Sequence, residues 1–138
     1  ANVYGPRQDP YGEAGVVAIF ADRIRRGQQP FIHGDGEQTR DFLYVGDAVE
    51  ASVAALKNKA RGVYHIGTGI ETSISKLFRI VKEGFGSSLN EAHDEARPGE
   101  QLRNCLDASK AQREFGWVPA TLLEEGVRRT QEWFEAHG

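Results

Sequence analysis

Arg40 and Asp41 open an alternating segment, Thr39–Val45, that follows directly on the glycine-rich turn Gly34-Asp35-Gly36. A guanidinium in that place offers a planar fork suited to two phosphate oxygens at once. The same pair reads also as a surface arginine beside its own aspartate on a hairpin, where such a contact contributes little. A second arginine, Arg97, precedes Pro98-Gly99, a stiff residue followed by a permissive one. That dipeptide fixes a loop, so Arg97 is either a placed side chain or a solvated one. Cys105 is the one cysteine, which excludes an internal disulfide and suits a reducing compartment. No histidine is placed beside it by the sequence, so it reads as a small buried hydrophobe in a strand rather than a nucleophile. The four histidines, His33, His65, His93 and His137, have no ligand-like spacing, and no metal is expected.

The elements that must position these groups alternate along the chain. Ala14–Arg26 reads as a helix, with Val16, Phe20 and Ile24 at helical spacing and Gly27 as its stop. Pro30–His33 is a short strand with Phe31 and His33 on one face and Ile32 on the other. Thr39–Val45 is a second strand. Asp47 is placed to cap a helix running to about Leu56, with Val49, Val53 and Leu56 on one face. Arg61–Gly67 reads as a buried strand, and Ser73 caps a helix carrying Ile74, Leu77, Phe78 and Val81 that ends near Gly84 or Gly86. Residues 87–99 read as a loop with a short strand, and Leu102–Leu106 as strand. Asp107 caps a helix over Ala108–Phe115 that Gly116 terminates, and Thr121-Leu-Leu-Glu124 is a capping box for a final helix to about Ala136. Asp47, Ser73, Asp107 and Thr121 are thus read as caps without chemistry. The pattern is that of a small mixed α/β module, α+β-like in its segregation.

Composition fits one domain. With 138 residues the chain can bury roughly two thirds of its unfolded surface. Its net charge of −3 and interleaved basic residues do not favour nucleic acid. No apolar run approaches the roughly 18 residues of a membrane span, and no signal peptide is visible. Repeats and low-complexity tracts are absent from the sequence.

Several of these segments together resemble a known family. His33-Gly-Asp-Gly-Glu-Gln-Thr-Arg-Asp-Phe-Leu-Tyr-Val-Gly-Asp47 is similar to the GDG-x-Q-x-RDF-x-x-V-x-D signature of the nucleotide-sugar epimerases and dehydratases, the extended short-chain dehydrogenase/reductases. Ala1-Asn-Val-Tyr-Gly-Pro-Arg-Gln8 resembles their N-V-Y-G-P-R motif, and Gly62-Val-Tyr-His-Ile-Gly-Thr-Gly69 their Y-N-I-G-T-G segment, with His65 for the common Asn. Arg97-Pro-Gly-Glu100, Asp107-Ala-Ser-Lys-Ala111 and Phe115-Gly-Trp-Val-Pro119 resemble R-P-G-D/E, D-x-S-K-A and L-G-W-x-P. The text is closest in flavour to bacterial UDP-glucose 4-epimerases, although sister enzymes share much of it.

Two family motifs have no counterpart. No G-x-x-G-x-x-G cradle for a dinucleotide pyrophosphate follows a strand. No Tyr-x-x-x-Lys, the family's proton-transfer pair, occurs: Tyr4, Tyr11, Tyr44 and Tyr64 are followed four residues on by Gln8, Gly15, Ala48 and Thr68. The resemblance therefore implies that residues 1–138 are the C-terminal, UDP-sugar-binding part of a larger enzyme. The Rossmann domain and catalytic residues would lie outside this chain. NAD would be bound by the full-length parent and by nothing here, the fragment alone would be inactive, and the location would be cytoplasmic. A stand-alone domain or a non-catalytic nucleotide-sugar-binding module is the alternative reading. A 4,6-dehydratase, a UDP-glucuronate decarboxylase or an NAD-dependent reductase is another.

By the same resemblance, Arg40 and Arg97 converge on the diphosphate and Asn2 donates an amide hydrogen bond to it. Phe31 and His33 flank the uracil, and Val16 and Val17 belong to the same substrate-binding set. Asn104, a few residues before D-x-S-K, matches a gate beside the sugar; its modest size implies tolerance of UDP-glucose and UDP-N-acetylglucosamine. The implied chemistry is transient oxidation at the sugar C4 by NAD, rotation of the 4-keto sugar, and return of hydride to its other face. A domain parted from its nucleotide-binding half would bare apolar surface, with Val16, Val17, Ile19 and Phe20 as candidates, and a homo-oligomer is expected.

Overall fold

The computed structural model describes residues 1–11 and 15–137. Ten elements follow in order: β1 (Asn2–Tyr4), α1 (Val16–Arg25), β2 (Ile32–His33), β3 (Thr39–Tyr44), α2 (Val45–Lys57), β4 (Glu71–Ser73), α3 (Ile74–Gly84), β5 (His93–Asp94), α4 (Ser109–Phe115) and α5 (Leu123–His137). Ala14, the expected start of the first helix, lies outside the described residues. β3 is the centre of a three-stranded sheet, parallel to β1 with Asn2 opposite Phe42, and antiparallel to β4 with Arg40 opposite Thr72. β2 and β5 form a separate parallel pair.

Strand alternation sends the residues of β3 to two different cores. Phe42 joins Tyr4, Val17, Phe20, Ile24, Leu77, Phe78, Val81, Val127 and Phe134, where α1, α3 and α5 pack on one face of the sheet. Phe20 and Phe78 meet edge to face there, with ring centroids 5.7 Å apart. Leu43, on the other face, joins Ala51, Ala111 and Trp117 under α2 and α4. α5 lies close to the sheet because Gly126 has no side chain: a Cβ there would run into the Tyr4 hydroxyl and stand 3.1 Å from the Tyr44 ring.

Several local signals act as expected. Ser73 Oγ accepts from Lys76 N–H and caps α3. Asp107, by contrast, does not cap α4, whose N-cap is Ala108 without a side-chain bond; it accepts from Ser109 N–H at 2.9 Å one residue earlier, and this bond holds its carboxyl below the usual carboxylate range. Gly116 ends α4 at φ 70°, a left-handed conformation that costs glycine little.

Other expectations are corrected. Asp47 does not cap α2, which begins two residues earlier; it is buried and accepts from the backbone and hydroxyl of Thr121, at 3.0 and 3.1 Å. The Thr121 hydroxyl is thereby a donor to Asp47 rather than the acceptor of a capping box. α2 turns its alanines inward, with Ala51 buried and Ala48 and Ala54 beside it, so Val49 and Leu56 are exposed instead of forming the inner face. Residues 61–67 pair with no strand; Tyr64 and Ile66 lie half-buried against the second core while Val63 is exposed. Leu102–Leu106 is likewise no regular strand, being joined to β3 by only two backbone bonds at Thr39. Cys105 lies on this segment and is exposed, not buried. Val17 and Phe20 are buried in the main core, so the first helix is not the bared apolar stripe.

Candidate functional site

A cavity of about 630 Å³ opens between α1, β2, the start of β3 and the turn 97–100. Val16, Ile19, Phe20 and Arg23 reach it from one face of α1, at the i, i+3, i+4, i+7 spacing of a single helical stripe. Phe31, just ahead of β2, and Ile32 and His33 of β2 supply another wall, with Ile32 buried and Phe31 47% exposed; the strand expected from Pro30 begins only at Ile32. Gln38 joins this wall to β3 by donating to the His33 carbonyl at 2.7 Å.

Arginines converge on the cavity from three elements that are far apart in sequence: Arg23, Arg40 and Arg97. Asp94 and Glu100 are the acids among its lining residues. Arg40, 15% exposed at its side chain, donates through Nη1 to the carbonyls of Thr39 and Gln101 at 2.8 and 2.6 Å. Its Nη2 donates to Glu100 Oε1 at 2.9 Å. Arg97 is exposed and directs Nη2 at His33 Nε2, 2.9 Å away. Arg23 is held by one longer bond to the Gln29 carbonyl, 3.3 Å. A guanidinium carries five donors, so Arg23 and Arg97, with one bond each, keep four, and Arg40, with three, keeps two. The N-terminus of α1, at Gly15 and Val16, also lines the cavity and has no acid in its first turn, which favours an anion there.

The strand that presents Arg40 is anchored from behind by its neighbour. Asp41 is fully buried on the opposite face and accepts four bonds. Thr68 N–H and hydroxyl reach Oδ1 at 2.8 and 2.6 Å; Gly69 and Leu106 N–H reach Oδ2 at 3.0 and 3.2 Å. One carboxylate thus gathers the loop 67–69 and the segment 104–106 under β3, and the latter segment leads back to the Gln101 carbonyl and Glu100 that hold Arg40.

Of the residues expected at a site, Asn2, Val16, Phe31, His33, Arg40 and Arg97 line this one cavity. Val17 lines a smaller neighbouring space of about 320 Å³ that shares Asn2, Gly15 and Val16 with it. Asn104 does not line the cavity; its Nδ2 is 3.5 Å from Gln101 Oε1 and its Oδ1 is buried without a partner. Arg23, Gln38, Asp94 and Glu100 were not anticipated. The α1 stripe gave the signal for Arg23, three residues past Phe20 on the same face.

Among the described residues no cluster of His, Cys, Asp and Glu is arranged to hold a metal ion, and no helix is long and apolar enough to cross a membrane.

Residues 1–130 match the family described as GDP-mannose 4,6 dehydratase. A putative UDP-glucose 4-epimerase of Methanocaldococcus jannaschii is 47% identical over 135 residues, 98% of this chain and 44% of that protein. The crystal structure of UDP-glucose 4-epimerase with UDP-glucose from Thermotoga maritima superposes with a TM-score of 0.93 at 46% identity, covering 99% of this chain and 44% of that one. The dTDP-glucose 4,6-dehydratase of Bacillus anthracis in complex with NAD superposes at 0.88 with 27% identity, covering 99% and 43%. The chain thus spans less than half the length of each of these three proteins.

Proposed function

This chain belongs to the nucleotide-sugar epimerase and dehydratase family of extended short-chain dehydrogenase/reductases, and we propose that it holds the UDP moiety of a UDP-hexose during an NAD-dependent C4 epimerisation. The observation that carries the reading is the convergence of Arg23, Arg40 and Arg97 on one cavity that Phe31 and His33 also line. In this reading Arg40 and Arg97 take the diphosphate and the Asn2 amide donates to the same region. Phe31 and His33 border the base, while Val16 and Val17 close the space at the start of α1. Anchoring at the nucleotide provides binding energy far from C4 and leaves the hexose free to rotate. Asn104, beyond the cavity rim, is the proposed gate that admits both plain and N-acetylated hexoses.

Hydride transfer by NAD and the catalytic proton transfer are assigned to polypeptide outside this chain, and the chain alone is proposed to be inactive. A location in the cytoplasm and a homo-oligomeric state complete the proposal. The likeness to the NAD-bound dehydratase favours a second reading, a 4,6-dehydratase, in which the same wall would hold the nucleotide.

Calorimetric titration of the chain with UDP-glucose tests the reading. Binding should weaken as salt is raised, because the contacts are ionic. Arg40→Ala should lower affinity by about ten- to a hundredfold. Equal affinity of the two proteins would remove Arg40 from the site.

A further inference from the structure

Arg97 projects from the turn 97–100 and has no ion pair among the described residues; its bond is to His33. Arginine has no acceptor and does not lose its proton, so the 2.9 Å contact requires His33 Nε2 to be the acceptor. The ring proton then sits on Nδ1, which donates to the Glu95 carbonyl at 3.3 Å. The imidazole is held at both ring nitrogens by one loop, through the backbone of Glu95 and the side chain of Arg97. Its own main chain is fixed as well: the His33 carbonyl accepts from Gln38, and the flanking amides of Ile32 and Gly34 donate to Ala92 and Asp94.

We propose that His33 is the positioning residue of Arg97: its imidazole, in the Nδ1–H form, accepts from the guanidinium and aims it across the cavity at the anionic part of the ligand. The proposal rests on the nucleotide-sugar reading and goes beyond it, because bordering a base asks only for a ring, whereas aiming Arg97 asks for an acceptor at Nε2. One donor of Arg97 is committed to His33 and four remain, so orientation is gained without consuming the fork that a phosphate needs. A long, exposed arginine otherwise loses rotamer freedom when it binds, and an acceptor already engaged reduces that loss.

Two variants separate the roles. His33→Phe keeps an aromatic wall and removes the acceptor; His33→Gln keeps an acceptor and removes the ring. UDP affinity is measured by calorimetry for both, in the parent and in an Arg97→Ala background. His33→Phe should weaken UDP binding by about tenfold with Arg97 present and by less than about twofold without it. His33→Gln should stay closer to the parent than His33→Phe. Two-bond proton–nitrogen correlation spectra of the free protein should show His33 as Nδ1–H, changing to a mixed population in Arg97→Ala. Equal fold-losses for His33→Phe in both backgrounds would overturn the proposal, and so would a His33 spectrum that ignores Arg97→Ala. Failure of the parent to bind UDP would instead sink the functional reading. The spectra would still judge the His33–Arg97 contact, and an Nε2–H ring in the parent would overturn it.

Discussion

Glu100 sits on Arg40 in the structure, its Oε1 2.9 Å from Nη2, and both side chains line the same cavity. The two side chains are 28% and 15% exposed, so the pair is partly screened and its partner can be exchanged. Glu100 therefore balances part of the arginine charge at the cavity, and an anion binding at Arg40 would have to displace it.

Removing that competitor should favour a bare anion. Inorganic pyrophosphate, which has neither base nor ribose, should bind Glu100→Gln about three- to tenfold more tightly than the parent at low salt, and the gain should shrink as salt is raised. Calorimetric titration at two ionic strengths checks this. An unchanged affinity would show that Glu100 does not compete.

Asp41 should be the most sensitive carboxylate for stability. Asp41→Ala leaves the partly buried Thr68, Gly69 and Leu106 amides without their acceptor, and about 2–4 kcal/mol of unfolding free energy should be lost. Asp41→Asn, which keeps one acceptor oxygen, should lose less. Urea denaturation of the three proteins gives the answer, and a loss under about 1 kcal/mol for the alanine variant would contradict the anchoring role.

Acid should loosen the α5 surface first in a defined window. Glu125 accepts from Arg128 and Arg129, and these bonds pull its carboxyl from an ordinary 4.5 down to about 2. Its folded-state value is depressed, so its contribution is complete above 4.5 and disappears as pH falls toward 2. Asp107 and Glu71 shift in the same direction, through Ser109 N–H and Arg103 respectively. Thermal midpoints should thus decline across this acid range. Glu125→Gln should flatten that decline modestly, since the group is exposed and screened. A parallel decline in parent and variant would count against Glu125.

Self-association should come from α2 and β1 rather than from α1. Val3, Val49 and Leu56 are exposed, and Val3 borders an apolar groove of about 290 Å³ with Leu43, Ala51, Tyr64, Ile66 and Phe115. Sedimentation velocity over a concentration series should show a dimer or larger species that Leu56→Glu or Val3→Glu reduces. A strictly monomeric parent at high concentration would mean that the groove is too small to drive association.

Local signals were legible where the chemistry is local. Ser73 and Gly116 mark helix ends through bonds to residues three and four positions away, and the spacing of Val17, Phe20, Ile24 and of Leu77, Phe78, Val81 marks core faces. The misreadings arose where a distant partner decides. Asp47 stands where a cap should, yet Thr121, 74 residues on, claims its carboxylate. The valines of α2 look like an inner face, but the tight approach of α2 to β3 and α4 selects alanine. Tyr64 and Ile66 have strand-like text, yet they pack their side chains on the second core without a ladder to any strand. At the site, Arg40, Arg97, Phe31 and His33 were legible as residues; that Glu100 and His33 are the partners of the two arginines was not, because both contacts span more than 59 residues.

Asp41 also couples segments in time. Thr68, Gly69 and Leu106 belong to loops with no ladder of their own, and loop amides ordinarily exchange with solvent through small local openings. Here each amide donates to one buried carboxylate behind the strand that carries Arg40. Releasing one leaves the others with a half-satisfied buried charge, so the three should open together, and only when β3 does. In deuterated water these three amides should exchange as slowly as the β3 ladder and at one common rate, which makes the wall of the cavity a single cooperative unit rather than a set of independent loops.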